Sequence, residues 1–155
     1  VKHIIKHPYG YFFSSAVIIF LIGTSYITRY SFLYKYDEII INIYDTYYVI
    51  SHFEFSKIAA SVLLLIGFIY LYLYTWDFAL NKFMVKAHTI LSLGCFLIFY
   101  FGWFYFEITN ANKFPLFDDQ TKENILNITL IGSFVFAQVI FILNLIFSVI
   151  QKLKS

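Results

Sequence analysis

The chain has 155 residues, of which 61% belong to the hydrophobic set and 13% are charged, with 20 Phe, 14 Tyr and a formal net charge of +2. That balance excludes an ordinary soluble domain of this size and describes a small polytopic membrane protein. Basic residues are few and divided among separate connections, so no nucleic-acid partner is expected.

Lys2, His3, Lys6 and His7 lead into the first apolar stretch, 11–28. A helix needs about 20 mainly apolar residues to cross the roughly 30 Å hydrocarbon layer, and this stretch approaches that length. No small-residue cleavage pattern follows it, and Tyr26-Ile27-Thr28-Arg29-Tyr30 is bulky there, so it is expected to remain as a helix and not to be removed as a signal peptide.

Arg29, Lys35, Asp37, Glu38 and Asp45 fall in the connection that follows, which reads as a loop. It runs into Asp45-Thr46-Tyr47-Tyr48-Val49-Ile50-Ser51-His52-Phe53-Glu54-Phe55 and the second span, 53–74. An imidazole and a carboxylate thus stand two residues apart at a membrane helix, where such groups are costly without protein, water or a cofactor around them. Two positions apart on a helix, the His52 and Glu54 side chains diverge by about 200° and cannot form one compact site. Glu54 precedes Lys57 by three residues on one face, so an ion pair is the expected use of that carboxylate, with a proton relay as the alternative. Asp45 is expected to order the entrance of the helix by accepting hydrogen bonds.

Asn81 marks the next connection, flanked by Lys82 and Lys86, and the third span covers 85–106. Its lone Cys95 has no partner for an internal disulfide and reads as packing. His88 is expected to orient the span near its inner boundary. Pro115 and Asp118-Asp119-Gln120-Thr121 mark a further connection, with Thr121 or Asn124 as cap of the fourth span, 125–150. Gln138 and Asn144 are expected to bond across helix interfaces, and Gly23, Gly67, Gly94, Gly102 and Gly132 to allow close helix approach.

Lys2 and Lys6, Lys82 and Lys86, and Lys152 and Lys154 put basic excess on alternate connections, which predicts both termini and the 75–84 connection on the cytoplasmic or matrix side. The fold expected is an all-α membrane protein, a single four-transmembrane-helix bundle over 1–155. Neither a glycine-rich phosphate loop nor paired cysteines are present.

The 45–55 run resembles the segment opening the tenth transmembrane helix of heme-copper oxidase subunit I, the catalytic subunit of cytochrome c oxidases, whose motif reads approximately His-Asp-Thr-Tyr-Tyr-Val-Val-Ala-His-Phe-His-Tyr. Lys86-Ala87-His88 with Gly94 is similar, more weakly, to the eleventh helix of that family, and Ile131-Gly132-Ser133-Phe134 with Gln138 and Leu143-Asn144 to its twelfth. The resemblance covers nearly the whole chain but only the last third or so of a complete catalytic subunit. It implies that His52 matches the axial ligand of the high-spin heme and that Asp45 matches an aspartate near the heme propionates. Two departures matter: Glu54 stands where the family has a histidine that ligates the low-spin heme, and Tyr44 stands where it has a histidine associated with a magnesium site.

Oxygen reduction in that family needs a heme iron facing copper, with axial ligands such as His. Four histidines in all cannot assemble such a centre. The resemblance therefore implies a non-catalytic or incomplete relative, structural or accessory in a respiratory complex, working beside other membrane subunits or as a homo-oligomer in a bacterial or mitochondrial inner membrane. Heme is expected only if a partner completes the site, and copper and magnesium are not expected in this chain alone. Two alternatives stand beside it: the C-terminal piece of a split oxidase using His52, and a small proton-handling bundle using Glu54.

Overall fold

The structure, a computed structural model, describes residues 7–30, 38–43, 46–110 and 120–154. In chain order it contains helix α1 (Pro8–Tyr30), strands β1 (Glu38–Ile43) and β2 (Thr46–Ser51), and helices α2 (His52–Thr75), α3 (Lys82–Asn110) and α4 (Gln120–Lys154). All four helices are long and apolar enough to cross a membrane. The chain divides into two compact units, Val1–Phe78 and Ala79–Ser155.

In the first unit α1 and α2 pack antiparallel: His7 lies against Tyr74, Phe12 stacks on Tyr70, and Gly23 lies against Ser56. Seven of the nine buried positions of α2, His52, Ser56, Ala59, Leu63, Ile66, Tyr70 and Leu73, recur at alternating steps of four and three, with Ala60 and Gly67 widening the stripe, and α1 answers with Phe12, Ala16, Ile19 and Gly23. A stripe with a period of 3.5 residues keeps a straight seam between two helices that coil gently around each other. Small residues let the backbones approach, the main source of helix adhesion where lipid competes for every apolar contact. A Cβ added at Gly23 would collide with the Ser56 side chain, and one at Gly67 with the Phe13 ring.

The second unit repeats the arrangement with α3 and α4. Its seam holds His88, Ser92, Cys95 and Phe99 from α3 and Asn127, Leu130, Ala137, Phe141, Asn144 and Ser148 from α4, with half-buried Phe134 completing the register. Gly102 abuts Leu126 at one end, whereas Gly94 and Gly132 have open space where a Cβ would sit. Close approach is thus a property of three of the five glycines. Large apolar side chains such as Leu65, Phe101 and Val135 face outward, the pattern lipid contact requires. Many hydroxyls on the spans turn back on their own helix, as in Thr89 to the Val85 carbonyl at 2.8 Å, which satisfies a donor that an apolar medium could not, whereas Ser148 Oγ is buried with no hydrogen-bond partner among the described residues.

Two features differ from the sequence expectations. Residues 38–43 and 46–51 form an antiparallel hairpin, Glu38 pairing with Ser51 and Ile43 with Thr46, where a loop was expected. The β-branched residues Ile39, Ile40, Ile41, Ile43, Thr46, Val49 and Ile50 favour it. Helix α4 begins at Gln120, so neither Thr121 nor Asn124 is its cap. Each helix also runs a few residues past its apolar stretch, because backbone hydrogen bonding continues where hydropathy fades.

Candidate functional site

The start of α2 holds the residues on which the resemblance concentrates. Ser51, extended at φ −70° and ψ 150°, caps the helix: its Oγ accepts the Glu54 backbone N–H at 3.1 Å. Ser51 and Glu54 occupy the spacing of a capping box, with the carboxylate in the first turn, where the helix dipole favours negative charge. The strand-to-helix junction therefore falls inside the matched run. Thr46–Ser51 is strand, and His52 is the first helical residue.

His52 is 3% exposed and heads the α2 stripe that packs on α1. Its carbonyl accepts the Ser56 hydroxyl at 2.7 Å, and Ser56 in turn fills the space beside Gly23. Glu54 leaves the helix in a different direction, 55% exposed, and its Oε1 meets Lys57 Nζ at 2.5 Å, with Lys57 itself 40% exposed. The same ammonium lies 4.6 Å from the Phe53 ring centroid, a cation–π contact that holds the lysine over its own helix. The Glu54–Lys57 pair is thus an exposed one. It is an i, i+3 surface bridge, worth a few tenths of a kcal/mol by analogy with similar helix pairs. Asp45 and Tyr44 lie outside the described residues.

An axial heme ligand needs a ring nitrogen open toward the iron. His52 is 3% exposed, so a ring nitrogen would meet an iron only if the packing around it opened. Among the described residues, no group of three or more His, Cys, Asp or Glu is placed to hold a metal ion.

His88 belongs to the second unit, with 0% exposure. Its Nε2 lies 3.4 Å from Gln138 Oε1 and its ring stacks on Phe141, while Gln138 Nε2 donates to Ser92 Oγ at 3.4 Å. Asn144, 1% exposed, grips the turn before α3: its Oδ1 accepts the Asn81 N–H at 2.9 Å and its Nδ2 donates to the Asn81 carbonyl at 3.4 Å. Asn81 Oδ1 then caps α3 by accepting from Phe83 and Met84 backbone N–H groups. Gln138 and Asn144 thus both bond across a helix interface. Their partners, Ser92 and Asn81, escape sequence reasoning because a short polar residue carries no signal of which helix it meets.

No family model, curated protein or solved structure matches this chain.

Proposed function

We propose that the chain is a structural or accessory membrane subunit of a respiratory complex, related in sequence to the last four helices of heme-copper oxidase subunit I and without oxygen chemistry of its own. The observation that carries this reading is the setting of His52: the histidine matching a heme ligand is packed at 3% exposure at the head of a helix seam. Glu54, at the position of the second heme ligand, meets Lys57 instead. His88, Gln138, Ser92, Asn81 and Asn144 bond to one another within one helix pair. The polar groups of the second unit thus tie helices together, the use that a stable scaffold makes of them in lipid. Orientation with both termini on the cytoplasmic or matrix side, in a bacterial or mitochondrial inner membrane, completes the proposal and follows from the lysine distribution.

Purification in mild detergent, with partners identified by mass and heme read by absorbance, tests it. Co-purification with other membrane subunits, and no heme on the isolated chain, is the expected result. Heme bound stoichiometrically to the chain alone would contradict it. The proton-handling alternative has little support, because the Glu54 carboxylate is spent on a surface pair at the helix start.

A further inference from the structure

We infer that the basic end of the α3–α4 pair binds the headgroup of an anionic phospholipid. A cavity of about 510 Å³ opens there, lined by Leu80, Asn81 and Met84 on one side and Asn144, Phe147 and Gln151 on the other. That volume lies within the range of small-molecule sites. The candidate span of α3 begins at Lys82 and that of α4 ends at Leu153, so the cavity sits where both spans leave the hydrocarbon layer, at headgroup depth.

Its lining is divided in the way a lipid is divided. Met84 and Phe147 offer an apolar wall for the glycerol and upper acyl region, while Gln151 and Asn81 are amides. The Asn81 oxygen is held by the cap of α3, which leaves its NH2 as the end that can donate. Charge sets the sign of the ligand. Lys82 and Lys152 are exposed and adjoin the lining residues Asn81 and Gln151 in sequence, Lys86 is exposed in the next turn of α3, the first turn of α3 contains no acidic residue, and neither 79–102 nor 125–154 contains any Asp or Glu, the nearest acidic side chain in sequence being Asp77. The positive end of the α3 dipole adds to the same field. Basic recesses between membrane helices favour anionic headgroups for this reason. A neutral lipid would gain the apolar contact but none of the electrostatic attraction.

Native mass spectrometry of the full chain released from detergent, titrated with phosphatidylglycerol or with phosphatidylcholine of the same acyl chains, tests the inference. The expected result is one phosphatidylglycerol retained per chain in preference to phosphatidylcholine, with the preference shrinking as ionic strength rises. Replacing Lys82 and Lys152 together by Gln weakens phosphatidylglycerol retention about fivefold per lysine and leaves phosphatidylcholine unchanged. Ala79→Leu, which fills the cavity from an exposed lining position while keeping every charge, also lowers retention, separating the cavity from general attraction to a basic surface. Equal retention of the two lipids, full retention by either variant, or full competition by inorganic phosphate at millimolar concentration would overturn the inference.

Discussion

Gly23→Ala is expected to loosen the first unit out of proportion to the single methyl added. The new Cβ would fall closer to Ser56 Cβ and Oγ than side chains approach one another, and Ser56 is itself fully buried, so the strain can be relieved only by moving α1 away from α2. Overpacking of this kind costs about 1–3 kcal/mol. Ser56→Gly alone also costs about 0.5 kcal/mol through the lower helix propensity of glycine, and removes the hydroxyl bonded to the His52 carbonyl. Together the two substitutions move one Cβ from α2 to α1 and restore the spacing, so the double variant should be more stable than the sum of its parts by about 1–2 kcal/mol. Gly94→Ala is the control: nothing lies within 4 Å of its added Cβ, and the substitution should be neutral or stabilising by up to about 1 kcal/mol. Unfolding the purified chain in mixed micelles with increasing SDS, followed by circular dichroism, measures all four. A Gly23→Ala variant as stable as Gly94→Ala, or a Ser56→Gly loss that simply adds, would refute the close seam.

Three further outcomes are expected. Asp77 has φ 51° and closes α2, with its N–H on the Tyr74 carbonyl and the Phe78 N–H on the Leu73 carbonyl; Asp77→Gly should stabilise the chain by about 1 kcal/mol, because glycine occupies the left-handed region without a Cβ penalty, and the same SDS titration reads it. Asn144→Leu removes both bonds to Asn81 while leaving the Asn81 backbone groups in place; it should cost about 1–3 kcal/mol, and hydrogen exchange at Asn81 should rise more than exchange at mid-span. Glu54→Gln breaks an exposed pair and should shift stability by less than about 1 kcal/mol, with charge movement in proteoliposomes unchanged; loss of charge movement would favour the relay alternative.

The four spans were legible because apolar stretches of about 20 residues leave few other solutions, and their cores match α1 to α4. Ends were less so, since Gln120–Asn124 is helical although its polar residues read as a connection, and Lys82–Met84 already belongs to α3 although it lies beside the lysine-flanked turn at Asn81. The β1–β2 hairpin was hidden by its own sequence: Thr46–Ser51 belongs to a run that resembles a helix entrance, although Ile39-Ile40-Ile41 across from it carries the β-branched signal of a strand. At the candidate site, the Glu54–Lys57 contact was legible from spacing, because i, i+3 neighbours share a helix face. The burial of His52 was not read there, yet its trace exists in the alternating four and three steps from His52 to Leu73. Ser56 and Ala59 occupy two of those steps, and their small side chains conceal the stripe from a hydropathy reading.

His52 remains the residue on which structural and catalytic readings separate most sharply. Membranes expressing the full chain with its native partners, purified as one assembly, give a dithionite-reduced minus oxidised absorbance spectrum for the unaltered chain and for His52→Gln, with circular dichroism to confirm that both are folded. If His52 serves the α1–α2 seam, the two spectra coincide in heme content and band position, and only stability falls. Loss or displacement of a high-spin heme band in the folded His52→Gln assembly would show the imidazole on iron and contradict the scaffold reading.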